Sequence, residues 1–133
     1  MASVHREFSV ESPPDVVWAA LSDFGAVHTR LAAGFVTGCV LEEDSAVRLV
    51  TFANGMQARE RLVARDDTLR RLAYTVEGGR ATHHNASAQV LDAGGGRSRF
   101  VWTTDLLPDT LAPAVAAMMD AGAVAMRLKL ESR

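Results

Sequence analysis

After Gly34 the apolar pattern changes from a helical period to a period of two and keeps it through Leu107. Segments 35–42, 46–52, 58–66, 71–77, 83–91 and 99–107 read as six successive strands. Their connectors carry turn chemistry: Glu43-Asp44-Ser45, Asn54-Gly55, Asp66-Asp67, Gly78-Gly79 and Gly94-Gly95-Gly96. Connectors this short imply antiparallel neighbours, because a parallel crossover takes about a dozen residues or more. This run of hairpins leaves few ways to arrange the chain.

What precedes and follows the run completes the pattern. Val4, Arg6, Phe8 and Val10 alternate with polar residues as a first strand. Ser12-Pro13-Pro14-Asp15 reads as a helix start with a hydroxyl cap and prolines where no N–H partner is needed. Val16, Val17, Ala20, Leu21 and Phe24 give that helix its apolar face, Gly25 ends it, and a shorter helical piece covers 26–33. From Pro108 to about Glu131, apolar residues Leu111, Val115, Met119, Gly122, Met126 and Leu130 recur at helical spacing. The fold class is α+β. A seven-stranded curved antiparallel sheet wraps a long C-terminal helix, with two short helices between strands one and two. A strongly twisted sheet around one helix does not pack solid along its length, so a cavity is expected there.

The 133 residues suit one domain spanning residues 1–133, large enough to need no metal or disulfide staple. Net charge is −2, and no clustered basic run marks a nucleic-acid reader. One cysteine, Cys39, allows no internal disulfide and points to a reducing, cytoplasmic setting. The first residues lack a signal-peptide pattern, and no uninterrupted apolar run approaches the ~20 residues that span a bilayer. Thirteen arginines against one lysine, with abundant alanine, suggest a GC-rich bacterial genome.

Chemistry decides which side chains face inward. A two-residue Asn54-Gly55 turn would place Arg59 and Arg61 on the apolar face. A five-residue connection pairs Phe52 with Ala58, Val50 with Glu60 and Arg48 with Leu62, burying one carboxylate instead. The second register is preferred, with Arg48 diagonally near Glu60. Leu72, Tyr74, Val76, Ala86, Ala88, Val90, Phe100, Trp102, Thr104 and Leu106 then face in. The expected enclosed cavity, at least ~300 Å³, is lined by Val50, Phe52, Leu62, Val76, Ala86, Ala88 and Trp102, with Met119, Gly122 and Met126 opposite and Met56 at the gate.

The candidate catalytic groups are Glu60 as a general base, Tyr74 as an acid or hydrogen-bond donor to a carbonyl, and His83. Which of His83 and His84 faces in depends on a bulge near Asn85; His83 is favoured. Neighbouring strand residues point to opposite faces, so the two do not chelate one metal, and no other ligand spacing is present. Cys39, Ser87 and Thr104 have no base beside them in a nucleophile arrangement. Gly94–Gly96 joins two strands and precedes no helix, so it is a hairpin and not a phosphate cradle. No metal and no cofactor are expected.

The element order resembles the START-like, Bet v 1-like (SRPBCC) superfamily, whose architecture is the helix-grip fold. So do E-R-L at 60–62, D-D at 66–67, R-R-L-x-Y at 70–74, G-G at 78–79 and N-x-S at 85–87. It is most similar to bacterial polyketide cyclase/dehydratase-like proteins and more distantly to plant abscisic-acid receptors. The resemblance implies a gate at Asn54-Gly55-Met56 and a latch at 79–83. It also implies a pocket wall of Val50, Phe52, Glu60, Tyr74, Val76, His83, Ala86 and Ala88. Thr37 stands where those receptors carry a carboxylate-binding lysine, and their gate is about three residues longer. The expected partner is a small, mostly apolar polyketide, aromatic or lipid-like molecule, bound by a carrier or sensor or turned over by a cofactor-independent cyclase/dehydratase. A third reading is a protein-interaction module that docks through the gate loop and sheet edge, with a homodimer as one outcome.

Overall fold

A computed structural model describes residues 1–132. Strand β1 (Ala2–Val10) and helix α1 (Pro14–Ser22) are followed by a 3-10 turn, Phe24–Ala26, and a π-helical turn, Val27–Leu31. Strands β2 (Val36–Glu42), β3 (Val47–Phe52), β4 (Gln57–Asp66), β5 (Arg71–Glu77), β6 (His83–Gly94) and β7 (Arg97–Leu107) come next. A 3-10 turn, Asp109–Leu111, leads into α2 (Ala112–Glu131). The sheet order is β1-β7-β6-β5-β4-β3-β2, antiparallel throughout. Sequence neighbours pair from β2 to β7, and β1 closes against β7. Helix α1 and the two turns carry the chain from one sheet edge to the other.

Two local expectations change at the first helix. Ser12 does not cap α1; Pro13 occupies the N-cap position, and its carbonyl accepts from the N–H groups of Val16 and Val17, both at 3.1 Å. The Ser12 hydroxyl instead donates to the Leu130 carbonyl at 2.7 Å, one of the carbonyls that the end of α2 leaves unpaired. The Ser98 hydroxyl donates to the Ser12 carbonyl, also at 2.7 Å, so β7, α1 and α2 are tied at one point. Helix α1 stops at Ser22, short of Gly25, and the expected helical piece 26–33 is the π-turn. Val17, Trp18, Ala20 and Leu21 are buried, whereas Val16 faces solvent.

The β3–β4 hairpin has the expected inner face but a different register. Arg48 pairs with Glu60, and Val50 with Ala58, two residues away from the five-residue connection. Phe52 N–H donates to the Met56 carbonyl at 2.8 Å, which leaves a three-residue turn, Ala53-Asn54-Gly55. Gly55 sits at φ 86, the left-handed position such a turn requires. A shift of two preserves which side chains face in, and it brings Arg48 directly opposite Glu60. A bulge in β4 leaves Val63 as the extra residue between the Leu62–Tyr74 and Ala64–Ala73 pairs, bending the sheet around the helix.

The core is continuous from sheet to helix. Val10, Val17, Val90 and Phe100 are almost completely buried in one cluster with Met119, Met126 and Leu130 of α2. Phe100 stacks on Phe8 with ring centroids 4.9 Å apart. Gly122 sets how close α2 lies, because a Cβ there would come within 3.2 Å of ring carbons of both Trp102 and Phe35. Gly122→Val is therefore expected to destabilise the fold by about 1–3 kcal/mol through overpacking. A urea titration showing no loss would mean that α2 does not approach the sheet this closely.

Candidate functional site

Between the inner face of the sheet and α2 lies a hollow of about 600 Å³ that is open on one side, not the enclosed cavity expected from the sequence. Val50 and Phe52 of β3, Glu60 of β4, Tyr74 and Val76 of β5, Ala88 of β6 and Trp102 of β7 form its floor. Met119 and Met126 of α2 face them, and Met56 stands at the rim. Asn54, Met56, Gln57, Gly78, Gly79 and Arg80 are solvent-exposed rim residues, so the hollow opens between the β3–β4 and β5–β6 turns. Besides His83, three expected wall residues do not line it. Gly122 and Ala86 are buried in packing, Gly122 against Trp102 and Ala86 between Tyr74 and Thr104. Leu62 packs against the core cluster beside the bulge.

The histidine expectation is corrected. The β6–β7 register runs without a break from His83 to Asp92, so no bulge lies near Asn85. His84 therefore shares the inward parity of Ala86 and Ala88 and lines the hollow. His83 faces outward, its Nε2 2.6 Å from the Asn85 Oδ1. Other wall residues come from the connection before β2, among them Leu21, Val27, Leu31 and Phe35, and from the start of α2, Leu111 and Val115. Helical spacing showed that such residues are buried, but not that they close a hollow.

The polar groups fall into two sets. Arg48 and Glu60 form a buried ion pair: Nε donates to Oε1 at 2.8 Å, with side chains 5% and 11% exposed. The guanidinium also donates through Nη1 to the Phe24 carbonyl at 3.3 Å. Its central carbon lies 4.1 Å over the Phe24 ring and 5.3 Å from the Tyr74 ring. Arg48 is thus held on several sides, and Glu60 is committed to it.

Tyr74, His84 and Thr104 are the second set. The Tyr74 oxygen accepts from Trp102 Nε1 at 3.3 Å, and its own proton has no partner among the described residues. Burial, with the Glu60 charge adding to it, pushes the Tyr74 hydroxyl well above its ordinary value, so it stays a neutral donor. Burial also lowers His84 below the usual imidazole range against the opposing pull of Glu60, which favours the neutral ring. Burial raises the Cys39 thiol, whose Sγ lies 3.8 Å from the Phe24 carbonyl, so it is not a thiolate nucleophile. The site can therefore offer an apolar chamber, a neutral donor, a neutral imidazole and a neutralised ion pair.

The polyketide cyclase/dehydrase and lipid transport family matches residues 1–131. Among solved structures, an NMR structure from Thermobifida fusca is similar with a TM-score of 0.80 and 27% identity, covering 98% of this chain and 91% of that one. The di-domain ARO/CYC BexL from the BE-7585A biosynthetic pathway gives a TM-score of 0.84 at 14% identity, over 98% of this chain and 47% of that one. Norcoclaurine synthase from Thalictrum flavum, in complex with dopamine and hydroxybenzaldehyde, gives 0.68 at 21% identity, over 99% and 89%. The last two share the fold with this chain. None of the curated proteins matches the sequence.

Proposed function

The chain belongs to the polyketide cyclase/dehydrase and lipid transport family, and from that premise we propose that it binds one small, mostly apolar molecule between the sheet and α2. The observation that carries this reading is the hollow of about 600 Å³ with few polar groups on its walls. That volume lies within the ~300–1,000 Å³ of ordinary small-molecule sites. Apolar walls supply affinity by burying ligand surface, while a few polar groups fix its orientation. Tyr74 can donate to a carbonyl or ether oxygen, and neutral His84 can accept from a hydroxyl. With Arg48 neutralised by Glu60, the interior of the chamber offers an anion no unpaired cation, in keeping with Thr37 on β2, and Arg80 stands only at the exposed rim. Polyketide, aromatic and lipid-like molecules meet these requirements.

The test is a titration with the neutral fluorophore N-phenylnaphthylamine. Wild-type protein is expected to bind one equivalent. Ala88→Phe, which places a ring into the floor of the hollow, is expected to lose binding by at least ~10-fold while still unfolding cooperatively. Equal binding by both proteins would place the probe elsewhere and contradict the reading.

Cofactor-independent cyclisation or dehydration is a second reading, favoured by the neutral Tyr74 hydroxyl and His84 on the same chamber. Their roles would be hydrogen-bond donor and proton acceptor. Glu60 suits the base role less, because its carboxylate is occupied by Arg48. For a catalyst, Tyr74→Phe is expected to lower turnover more than binding; for a carrier or sensor, it shifts binding alone. Kinetics on a ketone-bearing substrate would tell the two apart.

A further inference from the structure

Helix α2 has two apolar faces, and the fold uses only one. Met119, Gly122, Met126 and Leu130 are buried against the sheet. On the opposite side Ala117, Ala121, Val124 and Leu128 are all exposed, Val124 at 62% and Leu128 at 69%. Their spacing alternates four and three residues, the heptad spacing of a helix-to-helix seam, over about 17 Å of helix. This second face explains why the Asp109–Glu131 stretch is apolar enough for a membrane span by length and composition, although little of it is buried. Val124 and Leu128 also form a wall of a shallow groove of about 560 Å³, with Phe35 and Ala53 opposite.

We propose that this face docks a second copy of the chain, with the two α2 helices antiparallel about a two-fold axis between Ala121 and Val124. Two features select that occupant. The first is shape. In an antiparallel pair Val124 meets Ala121 of the second copy, and Leu128 meets Ala117, so a large side chain fills the space left by a small one at each step. A two-fold axis repeats every such contact. The second is charge. Asp120 and Arg127 flank the seam on the same side of the helix, one heptad apart, and both are exposed. Antiparallel pairing sets Asp120 of each copy beside Arg127 of the other; a parallel pair would turn both toward the opposite, uncharged flank of the second copy and leave them without a partner there. In the single chain Asp120 accepts from Arg6 Nε at 2.6 Å, and Arg127 lies 3.5 Å from Glu131. Side-chain exposures of 61% and 56% leave both able to take a further partner. The other flank carries Ala125, an uncharged residue that also lines the outer groove. This inference does not depend on the ligand reading.

The experiment is sedimentation equilibrium on the full chain over a dilution series. Wild-type protein is expected at twice the monomer mass at high concentration, dissociating on dilution. Leu128→Glu should be monomeric at every concentration, with thermal unfolding equal to that of wild type diluted to monomer. Asp120→Arg alone and Arg127→Asp alone should each weaken association by about 10-fold, since two symmetric attractions become repulsions. The double exchange Asp120→Arg/Arg127→Asp should restore it to within about threefold, an outcome that loss of the Arg6 contact cannot produce. A wild-type monomer throughout, a dimer indifferent to Leu128→Glu, or no rescue by the double exchange would each overturn the proposal. Flotation of a monomeric wild type with phosphatidylcholine vesicles would assign the face to a lipid surface instead.

Discussion

Replacing Glu60 with Gln is expected to cost about 3–5 kcal/mol of folding stability, because it strands the Arg48 charge inside the protein. The Arg48 side chain is 5% exposed, and Glu60 is its only carboxylate partner among the described residues. Its remaining contacts, the Phe24 carbonyl and the Phe24 and Tyr74 rings, hold the guanidinium without neutralising it. A Gln carbonyl can still accept a hydrogen bond but cannot balance the charge. Arg48→Met with Glu60→Leu removes both charges and should come within about 1–2 kcal/mol of wild type, on either side. A double-mutant cycle by urea denaturation would then give a large coupling energy. A Glu60→Gln loss below about 1 kcal/mol would show that the pair is solvated and that the polar side of the hollow is wetter than described.

The second large effect is expected at Phe100. Its side chain is fully buried, it stacks on Phe8, and it also lines the hollow. Phe100→Ala should destabilise the protein by about 3–5 kcal/mol, from lost burial and from the void left behind. That void would join an existing hollow, so probe binding should persist in the folded variant. Binding lost together with less than about 1 kcal/mol of stability would reverse the assignment, making Phe100 a ligand contact and not a core residue.

The inward faces of the strands were legible because alternation has a period of two and the alternative registers carried different burial costs. Val50, Phe52, Glu60, Tyr74, Val76, Ala88 and Trp102 line the hollow for that reason. What alternation cannot fix is a slip by two, since it preserves every face. The β3–β4 pairing therefore turned on Gly55, whose positive φ allows a three-residue turn, and Arg48 came opposite Glu60. His84 was within reach of the same argument: Ala86 and Ala88 set the parity, and no bulge interrupts β6 near Asn85, its register shifting only after Asp92. The Ser12 cap failed for a different reason. Its hydroxyl serves a carbonyl at the end of α2, more than a hundred residues away in sequence, which no local pattern reveals. The wall contributed by Val27, Leu31 and Phe35 was hidden similarly, because closing a hollow is a tertiary property.

Methionine-methyl NMR reports whether a ligand is held between sheet and helix. Met119 and Met126 lie on the helix wall of the hollow and are 3% and 7% exposed, Met56 stands at its rim, and Met1 lies outside it. On titration with N-phenylnaphthylamine the Met119 and Met126 methyl signals are expected to shift together and saturate at one equivalent. Met56 should follow them and Met1 should not move. Shifts at Met1 or Met56 with Met119 and Met126 unmoved would contradict a ligand held there, because the probe would then be on the surface and the hollow would not be a binding site.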